Sequence, residues 1–559
     1  MVEFPEFDKI PGLHPILVKN LRAMNFKTMT EIQALTWEAA SSGRDVLGRA
    51  RTGTGKTVSF LLPALQQLLL LSNDESLAQQ DNNTNATIHM LVLSPTRELA
   101  MQIDDEAQKL SRGNKKNIRH QVVYGGSSRP KDVAQFERRV PTILVATPGR
   151  LRDHLDNTTV KGRPFSSLFR KTSILVLDET DRLLDMGFQK EVNEIIRFLP
   201  PKEQRQTLLF SATVPNEVKA VMKATMKDNF VTADCIHDTD PATHTNEQVE
   251  QRHVIVPYKT RLVTGTVQVI WKLIEKAKSD KETLKMVVFF NTANLVGYYA
   301  ALFNNGLDIP VLELHSRKSQ SYRTKTADKF RTAEDAILFT SDVSARGVDY
   351  PGVTNVVQVG IAETRESYIH RLGRTGRAGK VGEGLLVLYD LEKKFLDKLN
   401  GIDVPVHEEF QSMIDSAPPD VALMNKLQPI LDDIRNQDGS NDLCKDLESA
   451  YRSMLGFYNG KLSKQLGVKD PAMLIDFVNE FAKQGGCAEL PGIEKKTIGK
   501  MGLRYTTGLN ITPNLARQDR SGANNGRGRG SKGSSGGSGG GRGGGNNNPR
   551  NNNNNNNNN

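Results

Sequence analysis

The sequence predicts an α/β protein: two tandem domains, each on a parallel sheet, then a helical appendage and a polar tail. Three observations carry this. From Asp45 to Thr213 the runs HMLVLS, HQVVYGG, TILVAT, SILVLDE and TLLFSAT alternate with amphipathic stretches, the pattern of βαβ units with buried parallel strands. A second series, KMVVFFNT, VLELHS, AILFTSD, NVVQVG and GEGLLVLY, follows a polar interval. Beyond Ile511 apolar side chains nearly vanish into Gly, Arg and Asn.

The limits follow composition. Residues 1–235 form the first domain, 236–250 a linker, 251–398 the second domain, 399–510 a helical extension and 511–559 a tail. The extension rests on the helical patterns NDLCKDLESAYRSMLGFYNGKL and PAMLIDFVNEFAKQ. The tail has too little to bury against the entropy of ordering and is expected to stay disordered. Ser72 to Thr87, polar throughout, is read as a mobile surface loop.

The chain has 559 residues, too many for a single core. Its 74 basic and 64 acidic side chains leave +10, which favours an anionic partner such as nucleic acid. Three scattered cysteines, Cys235, Cys444 and Cys487, offer neither a disulfide framework nor a zinc site, so an intracellular, reducing setting is expected. The most apolar run, Phe60 to Leu71, is interrupted by Pro63, Gln66 and Gln67 and reads as a buried helix, not a membrane span. MVEFPEFDKIPGL carries three acids and no apolar signal core, so secretion is not expected; mitochondrion, nucleus and cytoplasm all stay open.

The chemistry begins at DVLGRARTGTGKTVSF, a Gly-rich turn between a strand and a helix, where backbone N–H groups and a helix N-terminus face phosphate. Lys56 would reach the β- and γ-phosphates and Thr57 a magnesium ion. The strict Gly-x4-Gly-Lys form fails because Ala50 holds its first position. Asp178, Glu179 and Asp181 follow the apolar strand SILVL, and ligands of open α/β sheets bind beyond such strand ends. Phosphoryl transfer needs one carboxylate for the metal and one to direct water, roles that suit Asp178 and Glu179. In YIHRLGRTGR, Arg371, Arg374 and Arg377 recur every three residues. Such arginines can neutralise charge on a transferring phosphoryl group, although a basic surface loop would read the same way.

With FKTMTEIQ, PTREL, Gly125-Gly126, TPGR, SAT, TSDVSARGVD and HRLGRTGR in order along Phe7 to about Tyr389, the chain resembles the DEAD-box RNA helicases. That resemblance implies two RecA-like P-loop NTPase domains, ATP and Mg2+ as cofactors, and RNA held through its backbone with little sequence preference. It places nucleotide contacts at Phe7, Gln33, Ala50, Thr52, Gly53, Thr54, Gly55, Lys56, Thr57, Gly347, Asp349, Arg374 and Arg377. Catalysis falls to Lys56, Asp178, Glu179, Arg374 and Arg377, and metal binding to Thr57 and Asp178. Coupling falls to Asp181, Ser211, Thr213 and His370. RNA contacts fall to Pro95, Thr96, Arg97, Gly125, Gly126, Thr147, Pro148, Gly149, Arg150, Gln320, Arg323 and Thr340.

One departure lies inside the signature: Thr180 stands where the family has alanine, adding a hydroxyl beside the carboxylates. The extension, with AYRSMLGFYNG and KTIGKMGLRYTTGL, is similar to those of organellar DEAD-box RNA chaperones; a helical lid stabilising the second domain is the plainer reading. The tail resembles RGG segments, and a solubilising linker serves as well. The activity implied is ATP hydrolysis coupled to local unwinding of short RNA duplexes or remodelling of RNA–protein complexes. An ATP-dependent RNA clamp scaffolding a ribonucleoprotein is the alternative. A monomer is expected, with ribonucleoprotein proteins as further partners and no membrane association.

Overall fold

The computed structural model describes residues 4–50, 53–71, 86–113, 118–236, 249–342, 350–376, 381–416, 419–436, 442–461, 465–468 and 470–512. Thr52, Gly347, Asp349 and Arg377 lie outside the described residues, as do residues 72–85 of the predicted loop, 237–248 of the linker and 513–559 of the tail.

Lobe one is a seven-stranded sheet in the order β3-β4-β2-β7-β8-β1-β9, every adjacent pair parallel. Its strands are β1 (Val46–Arg49), β2 (Met90–Leu93), β3 (His120–Val123), β4 (Ile143–Ala146), β7 (Ile174–Leu177), β8 (Gln206–Ser211) and β9 (Val231–Asp234). A small antiparallel pair, β5 (Thr159–Val160) and β6 (Arg163–Pro164), sits apart. The apolar runs are continuous because both faces are covered. Val46, Met90, Val92, Val145 and Val176 enter one core, while Leu47, Leu91, Leu93, Leu144 and Leu177 enter the other. The apolar run after the Gly-rich turn is the helix Lys56–Leu71, buried along most of its length with Pro63 inside it.

Lobe two repeats the design with β10 (Val249–Val256), β11 (Lys285–Phe290), β12 (Leu312–Leu314), β13 (Ala336–Thr340), β14 (Asn355–Val359) and β15 (Gly382–Tyr389). Their order is β10-β15-β14-β11-β13-β12, again all parallel. β10 starts two residues inside the segment read as linker, because its register against β15 begins at Val249–Gly382.

The extension is helical, with its longest helices at Val421–Asn436, Asp442–Asn459 and Pro471–Gln484. It shares one continuous core with lobe two: Leu427, Leu447, Tyr451, Phe477 and Phe481 pack in the same cluster as Val288, Tyr298 and Leu386. Ile511 and Thr512, assigned to the tail by composition, instead form β17, paired with β16 (Ile493–Glu494). Among the described residues no helix is long and apolar enough to cross a membrane.

Glu392 ties extension to lobe. It is fully buried, and its carboxylate accepts the N–H groups of Ile361 at 3.1 Å and Tyr389 at 3.0 Å and the Tyr458 phenol at 2.6 Å. Burial pushes its carboxyl up to about 7, against the lowering effect of those bonds. A carboxyl raised in the folded state contributes stability that is present in full below its unfolded value near 4.5 and is lost as pH rises towards 7. Glu392→Gln removes that titration. Between pH 5 and 7.5 the wild type is therefore expected to lose stability relative to the variant, by on the order of 3 kcal/mol, measured by urea unfolding.

Candidate active site and nucleic-acid interface

Apart from Phe7 and Gln33, which precede β1, the candidate groups of lobe one sit just beyond the carboxyl end of a parallel strand, or on the helix that follows. β1 feeds the phosphate loop, β7 feeds Asp178, β8 ends at Ser211, and β2, β3 and β4 feed Pro95, Gly125 and Thr147. Here the N-termini of the helices that follow leave N–H donors facing outward.

In the phosphate loop Gly53 and Gly55 take left-handed backbone, φ 82° and 90°. At Gly55 a side chain is excluded twice over, since a Cβ would lie 2.4 Å from Gln33 Nε2. Gln33 is buried; its Oε1 accepts the Thr30 N–H at 2.9 Å and its Nε2 donates to Gly55 O at 3.2 Å. The first bond completes the capping box of the helix Glu31–Ser41, and the second ties that helix to the loop. Phe7, the other residue expected near the base, is 3% exposed and packed in the lobe-one core, its N–H on Lys27 O. An apolar ring beside Leu17, Leu21 and Met29 gains more from burial than from an open face, so this structure presents no Phe7 face for stacking.

Lys56 Nζ bridges Ala50 O at 3.1 Å and Glu179 Oε1 at 3.0 Å, both partners buried. Asp178 beside it is 2% exposed, and burial together with the Glu179 charge pushes its carboxyl up to about 7, against the pull of Lys56. Glu179 holds left-handed backbone, φ 48°, and its N–H donates to Asp178 Oδ1 at 3.0 Å. Two buried carboxylates beside one ammonium call for more positive charge. The hard oxygens of Asp178 and Thr57 suit a divalent ion such as magnesium. Among the described residues no cluster of three or more His, Cys, Asp or Glu could hold a metal.

Three of the four predicted coupling residues, Asp181, Ser211 and Thr213, are joined. Asp181 Oδ2 accepts Thr213 Oγ1 at 3.0 Å and the Thr213 N–H at 3.2 Å, while the Asp181 N–H donates to Ser211 Oγ at 3.1 Å. The Thr180 hydroxyl is turned away from the acids: it lies 3.2 Å from both Leu177 O and Phe210 O, at the ends of β7 and β8. It therefore acts as a strand tie. His370 is buried, and its carbonyl accepts Arg374 Nε at 3.3 Å. Arg371 belongs to Asp342 instead, by a two-point contact at 2.6 and 3.0 Å.

A cleft of about 650 Å³ lies between the lobes, lined from lobe one by Pro95, Thr96, Arg97, Gly125, Thr147, Gly149 and Arg150, and from lobe two by Arg323. Thr96 caps its helix by accepting the Leu99 N–H at 3.3 Å, and Gly126 lies against the Arg97 guanidinium. Pro148, buried, opens the helix behind Thr147. Arg150 is held by Asp132 at 2.9 Å and Ser127 O at 2.8 Å. Gln320 does not line the cleft but bridges the lobes, contacting Arg97 at 3.4 Å and Glu98 at 3.2 Å. Thr340 departs from the expectation: it is fully buried, its hydroxyl committed to Leu314 O at 2.7 Å, because it closes β13 against β12.

Sequence reasoning missed the acids that hold these cations. Glu98 pairs with Arg323 across the lobes, both buried, and Arg182 donates to Asp342 O at 2.6 Å across the same divide. Asn291, Ser316 and Glu363 also line the cleft. Their separation along the chain hides the pairings, although Glu98 stands in PTREL, Asp342 in TSDVSARGVD and Asn291 in KMVVFFNT. Thr180→Ala loses the strand tie and is expected to lower stability by about 1 kcal/mol in urea unfolding, with ATP turnover nearly unchanged.

The family described as DEAD/DEAH box helicase matches residues 30–221, and that described as helicase conserved C-terminal domain matches 265–379. The chain is 40% identical over 503 residues to DEAD-box ATP-dependent RNA helicase 26 of Oryza sativa subsp. japonica, spanning 90% of this chain and 85% of the relative. It is 35% identical over 517 residues to the ATP-dependent RNA helicase mss116, mitochondrial, of Aspergillus oryzae, spanning 91% and 76%. Among solved structures, DEAD-box helicase Mss116 bound to ssRNA and UDP-BeF aligns with TM-score 0.75 at 25% identity, over 90% of this chain and 97% of that one. With the phosphate loop, the paired acids and the inter-lobe cleft in place, the chain belongs to the DEAD-box ATP-dependent RNA helicases.

Proposed function

We propose that the chain binds ATP at the Lys56 loop with magnesium, holds single-stranded RNA in the cleft, and uses hydrolysis to separate short duplexes or remodel RNA–protein complexes. The observation that supports this best is the meeting of Arg97 and Arg150 of lobe one with Arg323 of lobe two around one cleft. Backbone-directed cations of this kind grip a strand without reading its bases. The relatives crystallised with single-stranded RNA and nucleotide analogues add to the reading.

ATP phosphates would draw Lys56 from Glu179, which frees that carboxylate to orient the attacking water. Asp178 and Thr57 would hold the magnesium, whose charge offsets that of the phosphates. Arg374 and Arg377 would stabilise charge developing at the γ-phosphate, and Asp349 with Gly347 would meet the ribose side. Gln33 would favour adenine, and Asp181, Ser211, Thr213 and His370 would relay lobe closure to the acids. The chain is proposed to act as a monomer inside the cell; ribonucleoprotein proteins are its proposed further partners.

A short RNA duplex with a single-stranded extension provides the test. The full chain with ATP and magnesium is expected to release the strand over repeated turnovers, and Glu179→Gln to lower that rate by about a thousandfold or more. Retention of RNA without displacement would favour a clamp, and equal rates for both proteins would remove Glu179 from the mechanism.

A further inference from the structure

Asn291 follows β11 and lines the cleft from lobe two. Its Nδ2 donates at 3.0 Å to the phenol of Tyr458, a buried residue of the extension helix Asp442–Asn459. The phenol in turn lies 2.6 Å from Glu392 Oε1. Both Glu392 oxygens already accept main-chain N–H groups, and burial beside that carboxylate keeps the phenol protonated. Above about pH 7, where Glu392 is ionised, the one phenolic proton is directed at the carboxylate and leaves the oxygen free only to accept. The Asn291 amide therefore has one orientation: nitrogen towards Tyr458, oxygen away from it.

Gly360 makes this contact possible. It has φ +77°, and a Cβ there would come within 2.4 Å of Asn291 Nδ2 and 2.9 Å of the Tyr458 oxygen. Asn291 Oδ1, by contrast, has no hydrogen-bond partner among the described residues and is shielded from solvent. A buried acceptor left without a donor is costly, so a donor reaching it is rewarded. Phosphate carries no proton to give at neutral pH, whereas a ribose 2′-hydroxyl does. The neighbouring cleft groups Arg97, Arg150 and Arg323 supply donors for the phosphates, and a guanidinium cannot accept from a 2′-hydroxyl.

We propose that Tyr458 of the extension is a positioning residue that orients Asn291 so that its amide oxygen accepts a ribose 2′-hydroxyl of the strand in the cleft. The extension thereby contributes to the preference for RNA over DNA. This rests on the reading of the cleft as the RNA site.

The test is the ratio of affinities of the full chain at about pH 8, where Glu392 is ionised, with a non-hydrolysable ATP analogue, for a single-stranded RNA and the DNA of the same sequence. A ratio does not depend on how much of a variant is folded. Tyr458→Phe and Asn291→Ala are each expected to lower it about fivefold, and the double variant to lower it no further. A ratio unchanged in either single variant overturns the proposal while leaving the cleft reading intact. A wild type that binds neither strand, or both alike, overturns the cleft reading and the proposal with it.

Discussion

Buried acids at the carboxyl ends of parallel strands are the constraint on which the rest of the molecule depends. Asp178 and Glu179 stand at the end of β7, with little water to solvate them, and Lys56 offsets their charge directly. Such a cluster is poorly satisfied by the chain itself and better satisfied by a nucleotide that brings a divalent cation. The same principle recurs across the divide, where Glu98 of lobe one is buried against Arg323 of lobe two. Groups that could hold RNA here hold each other, so a strand entering the cleft competes for contacts that already join the lobes.

The connection from acids to cleft is short. Asp181 follows the Asp178–Glu179 pair by two residues and is bound to Ser211 and Thr213 at the end of β8. Arg182, the next residue, reaches the main chain of Asp342 in lobe two, and Asp342 in turn holds Arg371. One helical turn thus links the contact between the lobes to Asp178 and Glu179. Thr180 does not disturb this relay, because its extra hydroxyl is spent on the carbonyls of Leu177 and Phe210.

Much of this could be read in the sequence. Strands buried on both faces are unbroken apolar runs, and β2, β4, β7 and β11 were legible for that reason. The phosphate loop, the acids and the arginines were legible because their chemistry requires those residue types at close spacing. What could not be read is what folding alone brings together. Gln320 and Glu98 are 222 residues apart, and the acid behind Arg150 is Asp132, in no motif. Phe7 and Thr340 carry residue types suited to stacking and to RNA contact, yet the first belongs to a core and the second ties two strands. The extension was legible as helices, but a helical stripe does not declare its partner; its fusion into the core of lobe two appears only in three dimensions.

If nucleotide chemistry waits on the polymer that bridges both halves, fuel use must follow RNA. Steady-state ATP turnover of the full chain, measured against increasing single-stranded RNA, tests this most directly. The account predicts turnover that is slow without RNA and rises at least about tenfold to a plateau, as closure completes the site. Turnover that is already maximal without RNA and indifferent to its addition would contradict it.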